Sequence, residues 1–181
     1  MAQIDVFMHA IRIQESGNNY SAHNSSSGAS GAYQFTLGTW RYAIGLAGLS
    51  RNGYSHGTAA QAPAWMQDAA AKALMSKYYN DFGHSWYNVA EAWYGGPGAV
   101  GHPGIGGGPG YPNVGQYASH VISIYNSLGG SGGTSRAPPD QSFNATAGNQ
   151  TLRQISAASR LLEEDIPTAI AHIQQQAIEP S

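Results

Sequence analysis

Ile4, Phe7, Met8 and Ile11 recur at the i, i+3, i+4, i+7 spacing of one helical face, and Val6, Ala10 and Ile13 widen it. The pattern predicts a helix over 3–15, stopped by Ser16-Gly17-Asn18-Asn19, where Gly and Asn tolerate a left-handed turn. Leu37, Trp40, Ile44 and Ala47 share a face that predicts a second helix over 36–47, with Thr36 as its cap. The Ala-rich segment 58–79 predicts a third, and Pro63 must then lie near its start. Trp86, Val89, Ala90 and Trp93 mark a fourth helix, broken at Gly95-Gly96-Pro97. Val114, Tyr117, Val121, Ile124 and Leu128 mark a fifth. No segment alternates convincingly as a strand, although "GAYQF" is a candidate for a short one, and "GGPGAVGHPGIGGGPGYP" reads as a loop.

"GGSGGTSRAPPDQ", 129–141, carries a Gly/Ser/Pro linker signature and predicts a boundary between a domain over 1–128 and a tail over 142–181. In the tail, Leu152, Ile155, Leu162, Ile166, Ala169 and Ile173 predict an amphipathic helix over 150–177, kinked at Pro167. A single helix cannot bury its own stripe, so it is expected to dock on the first domain, on itself or on a larger assembly.

Only 10% of the 181 residues are charged and the formal net charge is −2. This describes a neutral, polar surface suited to glycans, and it argues against nucleic acid or an anionic membrane as partner. There is no Cys, and no run reaches the length of a membrane span. The start "MAQIDVFMHAIRIQE" lacks a signal-peptide pattern, so delivery beyond the cytoplasm is expected to use other machinery. The His residues do not cluster at metal-ligand spacing, and no metal or cofactor is implied.

Candidate chemistry is sparse. Residues 1–128 hold the carboxylates Asp5, Glu15, Asp68, Asp81 and Glu91. Positions 4, 8, 11 and 15 lie on one helical face, so Glu15 continues an apolar stripe at a helix carboxyl end, where desolvation and the dipole both favour the neutral acid. A carboxylic acid kept protonated near neutral pH is what general acid cleavage of a glycoside needs. The alternative is that Glu15 ends the helix and faces water. Glu91, inside a helix, reads as a solvated position, and Asp68 and Asp81 read as surface residues.

The residues that follow Glu15 shift this balance. "ESGNNYSAHNSSSGASGAYQF" resembles the first motif of the soluble lytic transglycosylase and goose-type lysozyme superfamily, with Glu15-Ser16, Gly28-Ala29-Ser30-Gly31 and Gln34 at the matching places. "AEAWYGGPGAV" is similar to the family's Ala-Tyr-Asn-Ala-Gly-Pro-Gly segment, and "YPNVGQYASHVISIY" to its closing helix. The resemblance implies a mainly α, lysozyme-like (α+β) fold with at most a small β-hairpin. It implies a peptidoglycan lytic transglycosylase in which Glu15 alone is acid and then base, leaving 1,6-anhydromuramoyl ends. A hydrolytic lysozyme and a non-catalytic glycan-binding or structural protein are the alternatives.

The resemblance further implies that Ser25 and Gln34 line a sugar cleft. Tyr33, Trp93, Tyr94 and Tyr117 read either as sugar-stacking or Glu15-orienting side chains, or as core aromatics. Trp93-Tyr94-Gly95 departs from the family's Tyr-Asn-Ala, so the phenol expected on the acid is either Tyr94 in a shifted geometry or missing. The missing signal-peptide pattern, the neutral surface and the appended helix together make the expected setting a phage particle or tail, or transfer by a secretion machine to the periplasm or cell wall, with the tail helix docking there.

Overall fold

The computed structural model describes residues 2–51 and 53–132, and the helix boundaries follow from local chemistry. Helix α1 runs Gln3–Ser16 and ends where Gly17 turns left-handed at φ 62°, as the Gly-Asn pair predicted. Helix α2 covers Leu37–Leu46 and is capped by Thr36, whose side chain accepts from the Thr39 N–H. Helix α3 spans Ala64–Asp81 and starts later than periodicity suggested. Pro63 holds Ala62 extended (φ −86°, ψ 148°), so Thr58–Ala62 folds as a separate 3-10 turn at 59–61, closed by a Thr58/Gln61 capping box. Helix α4 is Trp86–Gly95, capped by Ser85, and α5 is Val114–Ser127, capped reciprocally by Asn113 and Gln116.

The glycine-rich segment read as a loop contains the one paired sheet among the described residues. Strands β1 (Gly106–Gly108) and β2 (Tyr111–Asn113) pair antiparallel, with Gly106 opposite Asn113 and Gly108 opposite Tyr111. Glycine runs carry no alternation, which hid the hairpin from a period-two reading. "GAYQF" forms no strand. Ser30 and Phe35 instead exchange both backbone hydrogen bonds across a tight turn, at 3.0 and 2.9 Å, and Gln34 takes φ 49° inside it.

The core is built on aromatic contacts between helices. Phe7 of α1 is fully buried, stacks on Trp86 at 4.7 Å and meets Tyr125 edge-on at 5.8 Å. Phe35 lies between Trp40 and Trp93 at 5.6 and 5.3 Å. Helices α1 and α5 run antiparallel, because Tyr117 bonds Glu15 at one end while the Tyr125 hydroxyl donates to the Gln3 side chain at the other. Gln3 also accepts from the Ser131 N–H at 2.9 Å, and Tyr125 donates to the Ser131 carbonyl at 2.8 Å. The expected linker is thus fastened at 129–132. Its remainder, the 142–181 tail and the helix expected over 150–177 lie outside the described residues. No helix among the described residues is long and apolar enough to cross a membrane.

Gly95 stands where the resembling motif has Ala, and packing explains the exchange. A Cβ there would sit 2.6 Å from Ala99 Cβ and 2.7 Å from a Val114 methyl. Gly95→Ala is therefore expected to destabilise the fold by about 1–3 kcal/mol through overpacking, measured as the shift in the urea unfolding midpoint.

Candidate active site

Helix α1 carries Glu15 in its last turn, and Ser16 fixes that turn to the segment ahead of it. The Ser16 hydroxyl donates to the Ala32 carbonyl at 2.9 Å and accepts from the Asn19 N–H at 3.0 Å. The Glu-Ser pair therefore brings the end of α1 against the Gly31–Phe35 turn. Gln67 secures that turn from α3. Fully buried, it accepts the Ala32 N–H at 2.9 Å and donates to the Tyr20 and Ala62 carbonyls at 3.1 and 3.0 Å. Gly31 makes room for it, since at φ 78° any Cβ would lie 2.3 Å from the Gln67 carboxamide oxygen.

Glu15 is half-buried, open to solvent on one side. Burial raises its pKa from 4.5 to about 7, against the opposing effects of hydrogen bonding from Tyr117 and from the Trp93 indole. Tyr117 is the principal partner: its hydroxyl donates to Glu15 Oε1. Its own pKa is raised well above the usual tyrosine value, first by burial and then by the charge of Glu15, so it remains a donor through the physiological range. The phenol sought at Tyr94 therefore comes from α5. Tyr94 stacks on the Tyr117 ring at 4.4 Å and 15°, and its hydroxyl donates to the Pro112 carbonyl at 2.9 Å. It braces Tyr117 and leaves part of its own surface exposed.

The remaining site candidates divide. Trp93 is half-buried beside Glu15 and packs edge-on against Phe35 and Tyr33 at 5.3 and 6.2 Å. Tyr33 is fully buried and cannot offer a sugar an open face, which corrects its reading as a substrate contact. Its hydroxyl donates to Asp68 at 2.7 Å and accepts from Arg12 at 2.7 Å, and the guanidinium lies over its ring. Gln34 is half-buried and donates its side-chain N–H to the Gly31 carbonyl at 3.0 Å, within its own turn. Ser25 is exposed in a turn that Asn24 closes by accepting from the Ser26 and Ser27 N–H groups.

Two carboxylates differ from their sequence reading. Glu91 is 2% exposed, not solvated, because its helical face turns inward and its Oε2 accepts the Gly101 N–H at 2.9 Å. Asp68 is more than a surface residue. It accepts from Tyr20, Tyr33 and Arg12, joining α3 to the end of α1. Sequence reasoning missed this cluster and the buried Gln67. The available signal was Arg12, a cation one turn before Glu15 in a chain with few charges. Asp5 pairs with Lys72 and Asp81 with Lys77, so among the described residues each of the four carboxylates besides Glu15 has a partner away from it. Among the described residues no group of three His, Cys, Asp or Glu could hold a metal ion.

Residues 4–82 match the family model of the transglycosylase-like domain. Residues 4–82 are thus similar to a transglycosylase-like domain, which fits the lytic transglycosylase superfamily. Over 72 residues it is 40% identical to a protein named probable transglycosylase SceD from Staphylococcus carnosus, a match that covers 40% of this chain and 28% of that relative. The chain thus spans little more than a quarter of that relative's length. No solved structure matches significantly. The transglycosylase-like match takes in Glu15, Gln34 and Asp68, while Trp93, Tyr94 and Tyr117 come from beyond it.

A buried acid of raised pKa links site and stability. The folded state holds the Glu15 proton up to about pH 7 and the unfolded chain only to about 4.5, so stability falls as pH rises between those values and levels off above. Glu15→Gln is expected to stabilise the protein at pH 8 by up to about 3 kcal/mol, less where solvent reaches the carboxylate, with little gain at pH 4. Chemical denaturation at the two pH values measures the difference.

Proposed function

We propose that Glu15 is the single general acid/base of a peptidoglycan lytic transglycosylase. The transglycosylase-like match over residues 4–82 supports a glycan-cleaving role, and the observation that carries the finer reading is Glu15 with a pKa of about 7 bonded by the Tyr117 hydroxyl. Near neutral pH such a carboxyl is present in both protonation states, as a group that must first give a proton and then take one requires.

In the proposed cycle Glu15 transfers its proton to the glycosidic oxygen between N-acetylmuramic acid and N-acetylglucosamine as the bond from that oxygen to the anomeric carbon breaks. The carboxylate left behind is stabilised by donation from Tyr117 and the Trp93 indole. It then removes the proton from the muramoyl 6-hydroxyl while that oxygen attacks the same anomeric carbon. The 1,6-anhydro ring closes and Glu15 regains its proton. No second carboxylate takes part, in contrast to the usual glycosidase pair. Glu15 stands apart in this respect: Asp5, Asp68, Asp81 and Glu91 are each engaged elsewhere.

Peptidoglycan incubated with the protein is expected to release muropeptides with anhydro ends, identified by mass. Reducing ends would instead establish hydrolysis on the same scaffold. Glu15→Gln is expected to lower the cleavage rate by a hundredfold or more, on the order of the contribution of a positioned acid/base. Wall clearing unchanged by that substitution would defeat the assignment. The rate should fall above about pH 7 as Glu15 ionises. Because Tyr117 lowers the Glu15 pKa, Tyr117→Phe should move this descending limb to higher pH, read from kcat/KM profiles.

A further inference from the structure

The hairpin β1–β2 carries an aromatic ring with no evident role in the fold, on a strand that Tyr94 links to the Tyr117 that bonds the candidate acid. Tyr111 opens β2 and is 63% exposed, the most exposed of the large apolar side chains among the described residues. Its cross-strand partner is Gly108, so no side chain from the opposite strand covers the ring. The backbone beneath it is nonetheless fixed. Asn113, two residues on, caps α5 through paired bonds with Gln116 at 2.8 and 2.9 Å, and Val114 donates to the Ile105 carbonyl at 3.0 Å. Tyr111 is thus an exposed aromatic with a free face on a hydrogen-bonded strand.

Continuity with Glu15 gives that face a use. The Tyr94 hydroxyl bonds the carbonyl of Pro112, the residue after Tyr111, while the Tyr94 ring lies flat on Tyr117, whose hydroxyl bonds Glu15. The Tyr94 phenol is raised in pKa first by burial and then by Glu15 and Tyr111, so both lie within electrostatic reach of it. Tyr94 is itself 38% exposed, and Ile105, at the foot of β1, is 48% exposed. The series Tyr117, Tyr94, Tyr111 thus leads from a buried phenol at the carboxyl group to an open one on the hairpin.

We propose that Tyr111 and the exposed part of Tyr94 form a sugar-stacking subsite, taking an N-acetylhexosamine ring of a glycan strand that extends beyond the bond at Glu15. This rests on the reading of Glu15 as the acid of a glycan-cleaving site. A pyranose has an apolar face of C–H groups that a flat aromatic covers, while its hydroxyls stay in water. The neutral composition around the hairpin suits an uncharged ring, since 104–113 contains no charged residue. Tyr111 is then a specificity residue that favours long strands over short ones, acting in binding and not in proton transfer.

Calorimetric titration of the full chain with N-acetylglucosamine trimer and hexamer, combined with cleavage assays on peptidoglycan, tests the subsite. Tyr111→Ala is expected to weaken hexamer binding about tenfold, on the scale of one lost aromatic contact, to leave trimer binding unchanged, and to raise KM on peptidoglycan without lowering kcat. Tyr111→Trp is expected to retain hexamer affinity, which separates stacking from a fold defect. Equal hexamer affinity in wild type and Tyr111→Ala overturns the subsite, as does a wild type that binds neither oligomer, even where Glu15→Gln abolishes cleavage. Conversely, Tyr111-dependent binding alongside a Glu15→Gln protein that still clears walls sustains the subsite and defeats the acid/base assignment.

Discussion

The hydrogen bond from Tyr117 to Glu15 is the contact on which the site depends, and it spans 102 positions of sequence. It requires α1 to end with its acid half-buried and α5 to begin close by, so that a phenol in its first turn meets the carboxyl group. Asn113 and Gln116 fix the start of α5, and Gly17 fixes the end of α1. Burying an acid beside one donor is a compromise in free energy. Desolvation pushes the proton on, the phenol eases it off, and a pKa of about 7 is the balance between them.

A second layer holds the carboxyl's surroundings in place without touching it. Arg12 lies one turn before Glu15 on α1 and bonds Tyr33, Asp68 and Asn18, so the same helix turn is tied to α3 and to its own C-terminal loop. Tyr33 then packs against Trp93, which borders the carboxylate. The Arg12–Asp68 pair is partly shielded, with side chains 17% and 37% exposed, and both ions have additional hydrogen-bond partners. Such sharing lets a charged cluster organise a region without leaving a buried charge unpaired.

Much of this was legible in the sequence because it is local. Periodicity located five helices, and Thr36, Gly17 and Gly95-Gly96-Pro97 marked ends that the structure keeps. The apolar stripe through positions 4, 8, 11 and 15 anticipated the desolvation that raises Glu15. What escaped depends on long-range packing. Nothing local in "YPNVGQYASH" says that Tyr117 and not Tyr94 meets the acid, since that follows from the pairing of α5 along α1. Glu91 read as solvated because charge inside a helix commonly is, but here the chain folds back and offers a backbone N–H at Gly101. The hairpin escaped for the opposite reason: glycines pair through backbone alone and leave no side-chain pattern to detect.

The three-way junction of Gln3, Tyr125 and Ser131 has a topological consequence. It joins the start of α1 to the chain leaving α5 at a point about 18 Å along the helix from Glu15, at 1.5 Å per residue. Entry and exit of the domain are therefore neighbours, and both lie at the pole remote from the carboxyl group. The bonds that close this pole involve none of Glu15, Tyr94 and Tyr111, so the two ends of the described domain are tied together without drawing on the groups of the site.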